Sequence, residues 1–387
     1  MNIPDNYLEK VYSGILGKLI GVYLGRPFEG WTFEKIINKL GPINYYVNKK
    51  FKVPLVVTDD DISGTFTFVR AIEDSIKLKK ITSKDIANTW LNYIIENRTI
   101  FWWGGNGIST EHTAWLNLKN GIPPPQSGSI KKNGKIIAEQ IGAQIFIDAW
   151  ALVSPGNPSL AAELAKKASR VSHDGEAVYA AQLWAAMESE AFVSDDVDHL
   201  INTGLSVIPK NSMIFNLVQK INFWHKKNKD WYKVRKLIYQ NFGYDKFPGN
   251  CHIIPNHAIM IMSLLYSRKN FHLGQKIVNT SGWDTDCNAG NLGCLQGIMS
   301  GLEGINSGPD WRTPISDSMI ISSADGGYSI NDAVRMTYYI ANLGKKISGE
   351  KSYTIPKNKS KFHFTLPGST QGFKISKDTD KNCSVSL

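Results

Sequence analysis

The sequence predicts an all-α protein, a compact multi-helix bundle with a short β-rich appendage at its C-terminal end. Apolar residues recur at positions i, i+3 and i+4 through most of the chain before residue 350, which is the spacing of helices that bury one face. Strand-like runs separated by turns occur only after Lys351, in KFHFTLPGS, GFKIS and CSVSL. We therefore expect a helical domain over residues 1–349 and a β-rich tail over residues 350–387.

The first predicted helix covers residues 6–25 and carries glycines three or four positions apart. Gly14, Gly17, Gly21 and Gly25 fall on one face of such a helix, which indicates tight packing against a neighbour. Pro27 and Gly30 then end the helix. Between them stands Glu29, flanked by an aromatic residue and a glycine, which is an unusual place for a solvated charge.

The next distinctive stretch is PLVVTDDDISGTF, in which Thr58, Asp59, Asp60 and Asp61 precede a predicted helix. One interpretation is a helix N-cap formed by Thr58 or Asp59, with the other carboxylates in solvent. The other is a divalent cation site, because three adjacent carboxylates repel one another unless a cation neutralises them. Carboxylate and hydroxyl oxygens are the ligands that Mg²⁺ prefers.

The middle of the chain offers weaker signals. Residues 101–107, FWWGGNG, are predicted to form a turn. Its aromatic residues either line a ligand pocket or fill the core. Residues 121–135 are predicted to form an exposed loop, and residues 138–193 three helices, the first of them over residues 138–153. His173 lies between two of these helices, where it caps one of them or faces a pocket.

A second oxygen-rich helix start occurs at Gly282-Trp283-Asp284-Thr285-Asp286. Capping needs one carboxylate rather than two, so a metal site is again the alternative to a cap. The helix that follows contains Ala289, Gly290, Gly293, Gly297 and Gly301. Each glycine lowers the stability of a helix by about 1 kcal/mol relative to alanine. The glycines therefore indicate that another helix backbone packs very close.

Composition restricts the class of protein. With 387 residues, 42% of them hydrophobic, the chain can bury a large core, and its 20% charged content is typical of an ordered globular protein. The net charge of +10 is spread over short lysine runs, which favours anionic ligands but forms no nucleic-acid motif. Four cysteines without a CxxC pair indicate a reducing compartment. Without a signal peptide or a run of ~18 apolar residues, we expect a cytoplasmic protein and no membrane partner.

Together these motifs resemble the ADP-ribosylglycohydrolase family, over roughly residues 8–345. The resemblance rests on the glycine-rich first helix that continues into Gly25–Gly30, on Thr58-Asp59-Asp60, on Ser172-His173 before a helix of small residues, and above all on Gly282–Asp286. It implies a compact all-α fold and a site with two Mg²⁺ ions, or Mn²⁺ in their place. It also implies cleavage of the ribosyl C1′ N- or O-glycosidic bond of an ADP-ribosylated acceptor by metal-activated water.

The resemblance also assigns roles to residues. The metal ligands implied are Thr58, Asp59, Asp60, Asp284 and Asp286, with Glu29 and Asp60 as general base or acid. Pyrophosphate is expected near Ser127-Gly128 and Gly142, because helix N-termini offer unpaired N–H groups. The full set of predicted substrate-binding residues is Ser127, Gly128, Gly142, His173 and Gly282.

Three positions depart from the family pattern. Cys287 stands where Thr or Ser usually supplies a further ligand, and a thiol is a poor ligand for Mg²⁺. Asp61 replaces another common Thr or Ser, and residues 139–144, EQIGAQ, replace an Asn-Gly-rich substrate loop. The alternatives are therefore a hydrolase of a small ribosyl or nucleoside-type N-glycoside, a catalytically silent ligand-binding relative, and a metal-dependent phosphohydrolase.

Overall fold

The computed structural model describes residues 3–75, 80–355 and 360–373, and helices account for most of them. The helices are numbered α1 to α21 in chain order and are Tyr7–Gly25, Phe33–Leu40, Asn48–Phe51, Asp60–Phe68, Ala71–Asp74, Ser83–Tyr93, Thr110–Lys119, Ile130–Asn133, Lys135–Ala138, Gly142–Ile145, Asp148–Leu152, Pro158–Ser169, Glu176–Glu190, Val197–Ser206, Met213–Lys227, Trp231–Phe242, Ile253–Ser267, Phe271–Thr280, Thr285–Asn306, Arg312–Ile315 and Ala333–Ser348. Short 3₁₀ helices occupy Arg26–Phe28, Gln126–Gly128 and Gly326–Tyr328. The predicted all-α fold is confirmed.

The centre of the fold is the pair of helices α1 and α19, whose backbones nearly touch. A Cβ atom at Gly17 would lie 2.0 Å from the carbonyl oxygen of Gly293, and one at Gly21 would lie 2.0 Å from that of Ala289. At the end nearest the acidic residues, a Cβ at Gly25 would lie 2.4 Å from the carbonyl oxygen of Thr285. The predicted close approach of two helix backbones is thus confirmed, and it fixes the chain after α1 beside the start of α19.

The β structure lies elsewhere than predicted. Strand β1, Ser318–Ile320, pairs antiparallel with β2, Ile330–Asp332, inside the region expected to be helical. The strand predicted for KFHFTLPGS is wrong: these residues form turns and irregular loops, and Gln371 just beyond them donates from Nε2 to Asp332 Oδ1 at 3.1 Å. The CSVSL run and most of GFKIS lie outside the described residues. The division into domains at residue 350 stays a prediction.

Residues 121–153 differ in part from the prediction. Residues 121–135 are mostly exposed or half-buried, as expected, but they include the 3₁₀ helix Gln126–Gly128 and the short helix Ile130–Asn133. Residues 138–153 break into α10 and α11, because the backbone at residues 139–141 pairs with residues 251–253 through Ile141 N to Cys251 O (2.9 Å) and Ile253 N to Glu139 O (3.0 Å). None of the helices in the described ranges combines the length and the apolar character needed to cross a membrane.

Candidate metal centre

The first part of the site is the start of α4. Asp59 is its N-cap: Oδ1 accepts a hydrogen bond from Asp61 N at 2.9 Å, and Oδ2 accepts one from Arg26 Nε at 2.9 Å. Capping therefore accounts for Asp59 but not for the next two carboxylates. Asp61 is 4% exposed, its Oδ1 accepts from the Cys287 thiol at 3.3 Å, and its Oδ2 has no hydrogen-bond partner.

The second part is the turn that leads into α19. Gly282 and Trp283 both have positive φ, at +79° and +70°. This turn is tied to the end of α1, because Trp283 N donates to Trp31 O at 2.7 Å and Gly30 N donates to Trp283 O at 2.8 Å. These bonds hold Glu29, which precedes Gly30, beside the start of α19.

The two helix starts and Glu29 converge in space. One ligand atom from each of Glu29, Asp284 and Asp286 lies within 4.8 Å of the others, and the same holds for Asp61, Asp286 and Cys287. Asp284 N donates to Asn256 Oδ1 at 3.3 Å, while the buried Asp284 Oδ1 has no hydrogen-bond partner. The arrangement places oxygen atoms from three separate parts of the chain around one small volume.

Burial and mutual repulsion oppose the ionisation of these acids. Burial, followed by repulsion from neighbouring carboxylates, raises the pKa of Asp60, Asp61 and Asp286 well above the usual range. Desolvation and then the charges of Asp284 and Asp59 raise the pKa of Glu29 to about 7, although its side chain is exposed by surface area. Of the residues that the structure describes, Arg26 is the cation in ion-pair contact with the cluster.

The residues present fit a divalent cation. Asp61 Oδ2 and Asp284 Oδ1 are buried oxygens without partners, which is costly unless a ligand satisfies them. The donor set is dominated by carboxylate oxygens, which suits Mg²⁺ or Mn²⁺. Asp59, Asp61, Asp284 and Asp286 would hold such ions, with Thr58 and Asp60 at the exposed edge.

Comparison with known proteins identifies the family of the chain. The profile of the ADP-ribosylglycohydrolase family matches residues 3–341, which is most of the chain. This chain belongs to the ADP-ribosylglycohydrolase family. A solved structure titled "ADP-ribosylglycohydrolase-related protein complex" is similar in fold, with a TM-score of 0.59, 16% identity, and coverage of 89% of this chain and 100% of that one. A search of curated proteins gave no match.

Membership of the ADP-ribosylglycohydrolase family supports glycohydrolase activity as the function of this chain.

A cavity of about 250 Å³ opens beside the acidic cluster and is lined by Thr58, Asp59 and Asp60. Phe101 and Trp103 line the same cavity, so two residues of the predicted turn at 101–107 lie at a pocket. Arg26 and Arg98 also line it.

The predicted substrate-binding residues divide into two groups. Gly282 belongs to the turn beside the cluster, and His173 and Gly142 contact each other nearby, since a Cβ at Gly142 would lie 3.0 Å from the His173 ring. Ser127 is fully buried and donates from Oγ to Val171 O at 2.6 Å, and a Cβ at Gly128 would lie 2.3 Å from the Ser172 backbone. Because packing occupies Ser127 and Gly128, we leave both out of the proposed site.

Sequence reasoning did not single out three residues at this site. The sequence indicates only an extra negative charge at Asp61, whereas in the structure this residue, two positions after the N-cap, turns inward toward Cys287. Arg26 carries no distinct signal in the sequence, and in the structure it forms an ion pair with Asp59. Glu111, at the start of α7, gave no local signal, because its neighbours Gly142 and His173 are distant in sequence.

Proposed function

We propose that the protein is a metal-dependent glycohydrolase that cleaves the ribosyl C1′ bond of an N- or O-glycoside, with ADP-ribosylated acceptors as the first candidate substrates. The observation that carries the proposal is the convergence of Glu29, Asp61, Asp284 and Asp286 with two unpartnered buried oxygens. Family membership supports the reaction class. The identity and number of the metal ions, expected to be two Mg²⁺ or Mn²⁺, belong to the proposal.

In this proposal the metal ions and the acidic side chains have separate catalytic roles. A bound Mg²⁺ would lower the pKa of a water molecule and polarise the ribose hydroxyls. Glu29 is exposed and lies beside Asp284 and Asp286, so it is positioned to accept a proton from water or to return one to the leaving group. Asp60, which lines the cavity, is the second candidate for this proton transfer.

The cavity wall would bind the rest of the substrate. Phe101 and Trp103 lie edge to face with ring centroids 4.8 Å apart, and Trp103 is half-buried, so it has a free surface for a sugar or base. Ring contacts of this kind exclude water and hold the ribose against the carboxylates. An oxocarbenium-like transition state would be stabilised by the surrounding negative charge.

The test is to incubate purified protein with Mg²⁺, and separately with EDTA, together with ADP-ribosyl-arginine, ADP-ribosyl-serine and a panel of nucleosides. Products are followed by mass spectrometry. We expect Mg²⁺-dependent release of a free ribosyl product that Asp284→Ala abolishes. Glu163→Ala, which removes an exposed carboxylate on α12, is the matched control and should retain activity. Metal binding by calorimetry without turnover of any ribosyl glycoside would contradict the proposal and leave a ligand-binding protein.

A further inference from the structure

The acidic residues of the candidate metal centre form two groups of different chemical character. Glu29, Asp284 and Asp286 offer only carboxylate oxygens, and Glu29 is exposed. The second group is Asp61, Asp286 and Cys287, in which all three side chains are buried. Asp286 belongs to both groups, so the two positions are adjacent. A difference in ligand type between them predicts a difference in the ion that each prefers.

The thiol of Cys287 lies among the acids rather than in an apolar part of the core. Its Sγ is 3.3 Å from Asp61 Oδ1, and Cys287 N donates to Asp286 Oδ1 at 3.0 Å, which fixes the orientation of that carboxylate. The ligand atoms of the three residues lie within 4.8 Å of one another. Two ligands of one Zn²⁺ ion are at most about 4.4 Å apart, because zinc–sulfur bonds are about 2.3 Å long and zinc–oxygen bonds about 2.1 Å. The three atoms are therefore close to the spacing that one ion requires.

One oxygen of this group has no partner in the protein. Asp61 is 4% exposed, and its Oδ2 is buried and accepts no hydrogen bond. A buried carboxylate oxygen without a donor is costly, and a bound cation removes that cost. In the described part of the chain, the cation in ion-pair contact with the acidic cluster is Arg26, which is paired with Asp59 instead. The unsatisfied oxygen thus belongs to the carboxylate that contacts the sulfur.

Sulfur discriminates strongly among divalent ions. Mg²⁺ binds oxygen ligands and keeps several water molecules, for which a buried group of side chains offers little room. Zn²⁺ binds thiolate and carboxylate together, and it exceeds Mn²⁺ in the usual order of affinities for a given site. A thiol that coordinates Zn²⁺ releases its proton to solvent, and the charge of the ion stabilises the thiolate. The buried group therefore favours Zn²⁺, and the all-oxygen group favours Mg²⁺ or Mn²⁺.

We propose that Asp61, Asp286 and Cys287 form a binding position for a thiophilic divalent cation, Zn²⁺, beside an all-oxygen position for Mg²⁺ or Mn²⁺. The inference rests on the proposed metal-dependent function and changes one of its two expected ions. Full occupancy of the centre then requires two different metals.

Cobalt substitution tests the sulfur ligand directly. Metal-free protein is titrated with Co²⁺ in the presence of saturating Mg²⁺, and the near-ultraviolet charge-transfer band between sulfur and cobalt is recorded. We expect the band in the wild type, its loss in Cys287→Ser, and its removal by Zn²⁺ but not by further Mg²⁺. Cys294→Ser is the matched control, because it changes a buried thiol of the same helix in another group of acids, and it should keep the band.

Competition between Co²⁺ and Zn²⁺ gives the size of the effect. We expect Cys287→Ser to lower the affinity for Zn²⁺ by about 100-fold or more, since even residues that only support a metal ligand contribute about 10- to 100-fold. Asp61→Asn covers the case in which Cys287→Ser does not fold, which circular dichroism would show. This variant keeps the thiol, so it should keep the band at saturation while it weakens Co²⁺ binding by about tenfold or more.

The spectroscopic result is independent of turnover. A band that depends on Cys287 supports the inference even if no glycoside is cleaved. A wild type without the band, or a band unchanged in Cys287→Ser, would overturn it even if the protein hydrolyses a ribosyl glycoside with Mg²⁺ alone. Equal Co²⁺ affinity in the wild type and Asp61→Asn would contradict the assigned ligands.

Discussion

Among the residues that the structure describes, two separate regions hold buried acids with the spacing of metal ligands, but they are built differently. One is the candidate metal centre, with Asp61, Asp286 and Cys287 as one of its groups, and the other is a core cluster of Asp148, Glu188 and Cys294. In each group the ligand atoms lie within 4.8 Å of one another. Distance alone therefore does not distinguish them.

The difference is how each group balances its charge. In the core cluster Lys18 Nζ lies 2.8 Å from Asp148 Oδ2, and both side chains are 0% exposed. The core cluster thus contains a buried cation of its own, and burial, followed by the charge of Asp148, raises the pKa of Glu188 well above its usual range. In the candidate metal centre, the cation in ion-pair contact among the described residues is Arg26, whose side chain is 44% exposed.

The largest expected effect is on catalysis. Asp284→Asn should lower the Mg²⁺-dependent kcat by about 10⁴-fold or more, because a proposed metal ligand is lost and with it several kcal/mol of stabilisation. Glu188→Gln in the core cluster should keep both activity and metal affinity, because the core cluster has its own buried cation in Lys18. Steady-state kinetics and metal calorimetry on both variants check the contrast. A similar loss in both would mean that the two groups do not differ as described.

The next effect is on stability and should appear only in the core cluster. Lys18→Met leaves Asp148 buried without its partner, and we expect the free energy of unfolding to fall by about 3–5 kcal/mol. Added Mg²⁺ should not restore it. Urea denaturation measures the change, and the double variant Lys18→Met, Asp148→Leu should recover most of it, because it removes both charges. If Lys18→Met were neutral, the core charges would not be paired as the structure shows.

A smaller effect concerns pH in metal-free protein. The pKa of Glu111 is raised from 4.5 to about 7 on folding, so between these values the folded state holds a proton that the unfolded state has released. Its contribution to stability is fully present below about pH 4.5 and is lost as pH rises through about 7. The loss is at most about 3 kcal/mol.

Urea denaturation with EDTA, from pH 5 to pH 8, measures this contribution. Glu111→Gln should show a shallower decline than the wild type. Glu163→Gln, which changes an exposed carboxylate on α12, is the control and should keep the wild-type slope. Equal slopes for the wild type and Glu111→Gln would contradict the assignment.

The smallest effect tests the thiol at the centre. Cys287→Ser replaces a soft atom 3.3 Å from Asp61 Oδ1 by an oxygen, so the affinity for Mg²⁺ should rise by about tenfold, or 1.4 kcal/mol, relative to that for Mn²⁺. Calorimetry with each ion provides the measurement. Cys294→Ser, in the core cluster, is the control and should change neither affinity. A decrease in Mg²⁺ affinity in Cys287→Ser would show that the sulfur assists binding.

Much of the fold and part of the site could be predicted from local patterns. The glycine face of α1 and the glycines after Asp286 predicted two helix backbones in contact, because a missing Cβ is a property of the sequence itself. The two oxygen-rich helix starts likewise predicted a cation site, since carboxylates that are adjacent in the sequence repel one another in any fold. The roles of the predicted site residues stay predictions.

The tertiary structure alone decided how charge is balanced. Glu111 meets Gly142 and His173, and Lys18 meets Asp148, only because helices far apart in sequence pack together. The same packing buries Ser127 and interrupts the helix predicted over residues 138–153. It also places the sheet at β1 and β2 instead of after Lys351. The apolar periodicity of a helix and the acidic residues at the starts of α4 and α19 are both local features of the chain. The sequence therefore determined them. Neutralisation of a buried charge depends on which side chains converge on it, and only the folded chain determines that.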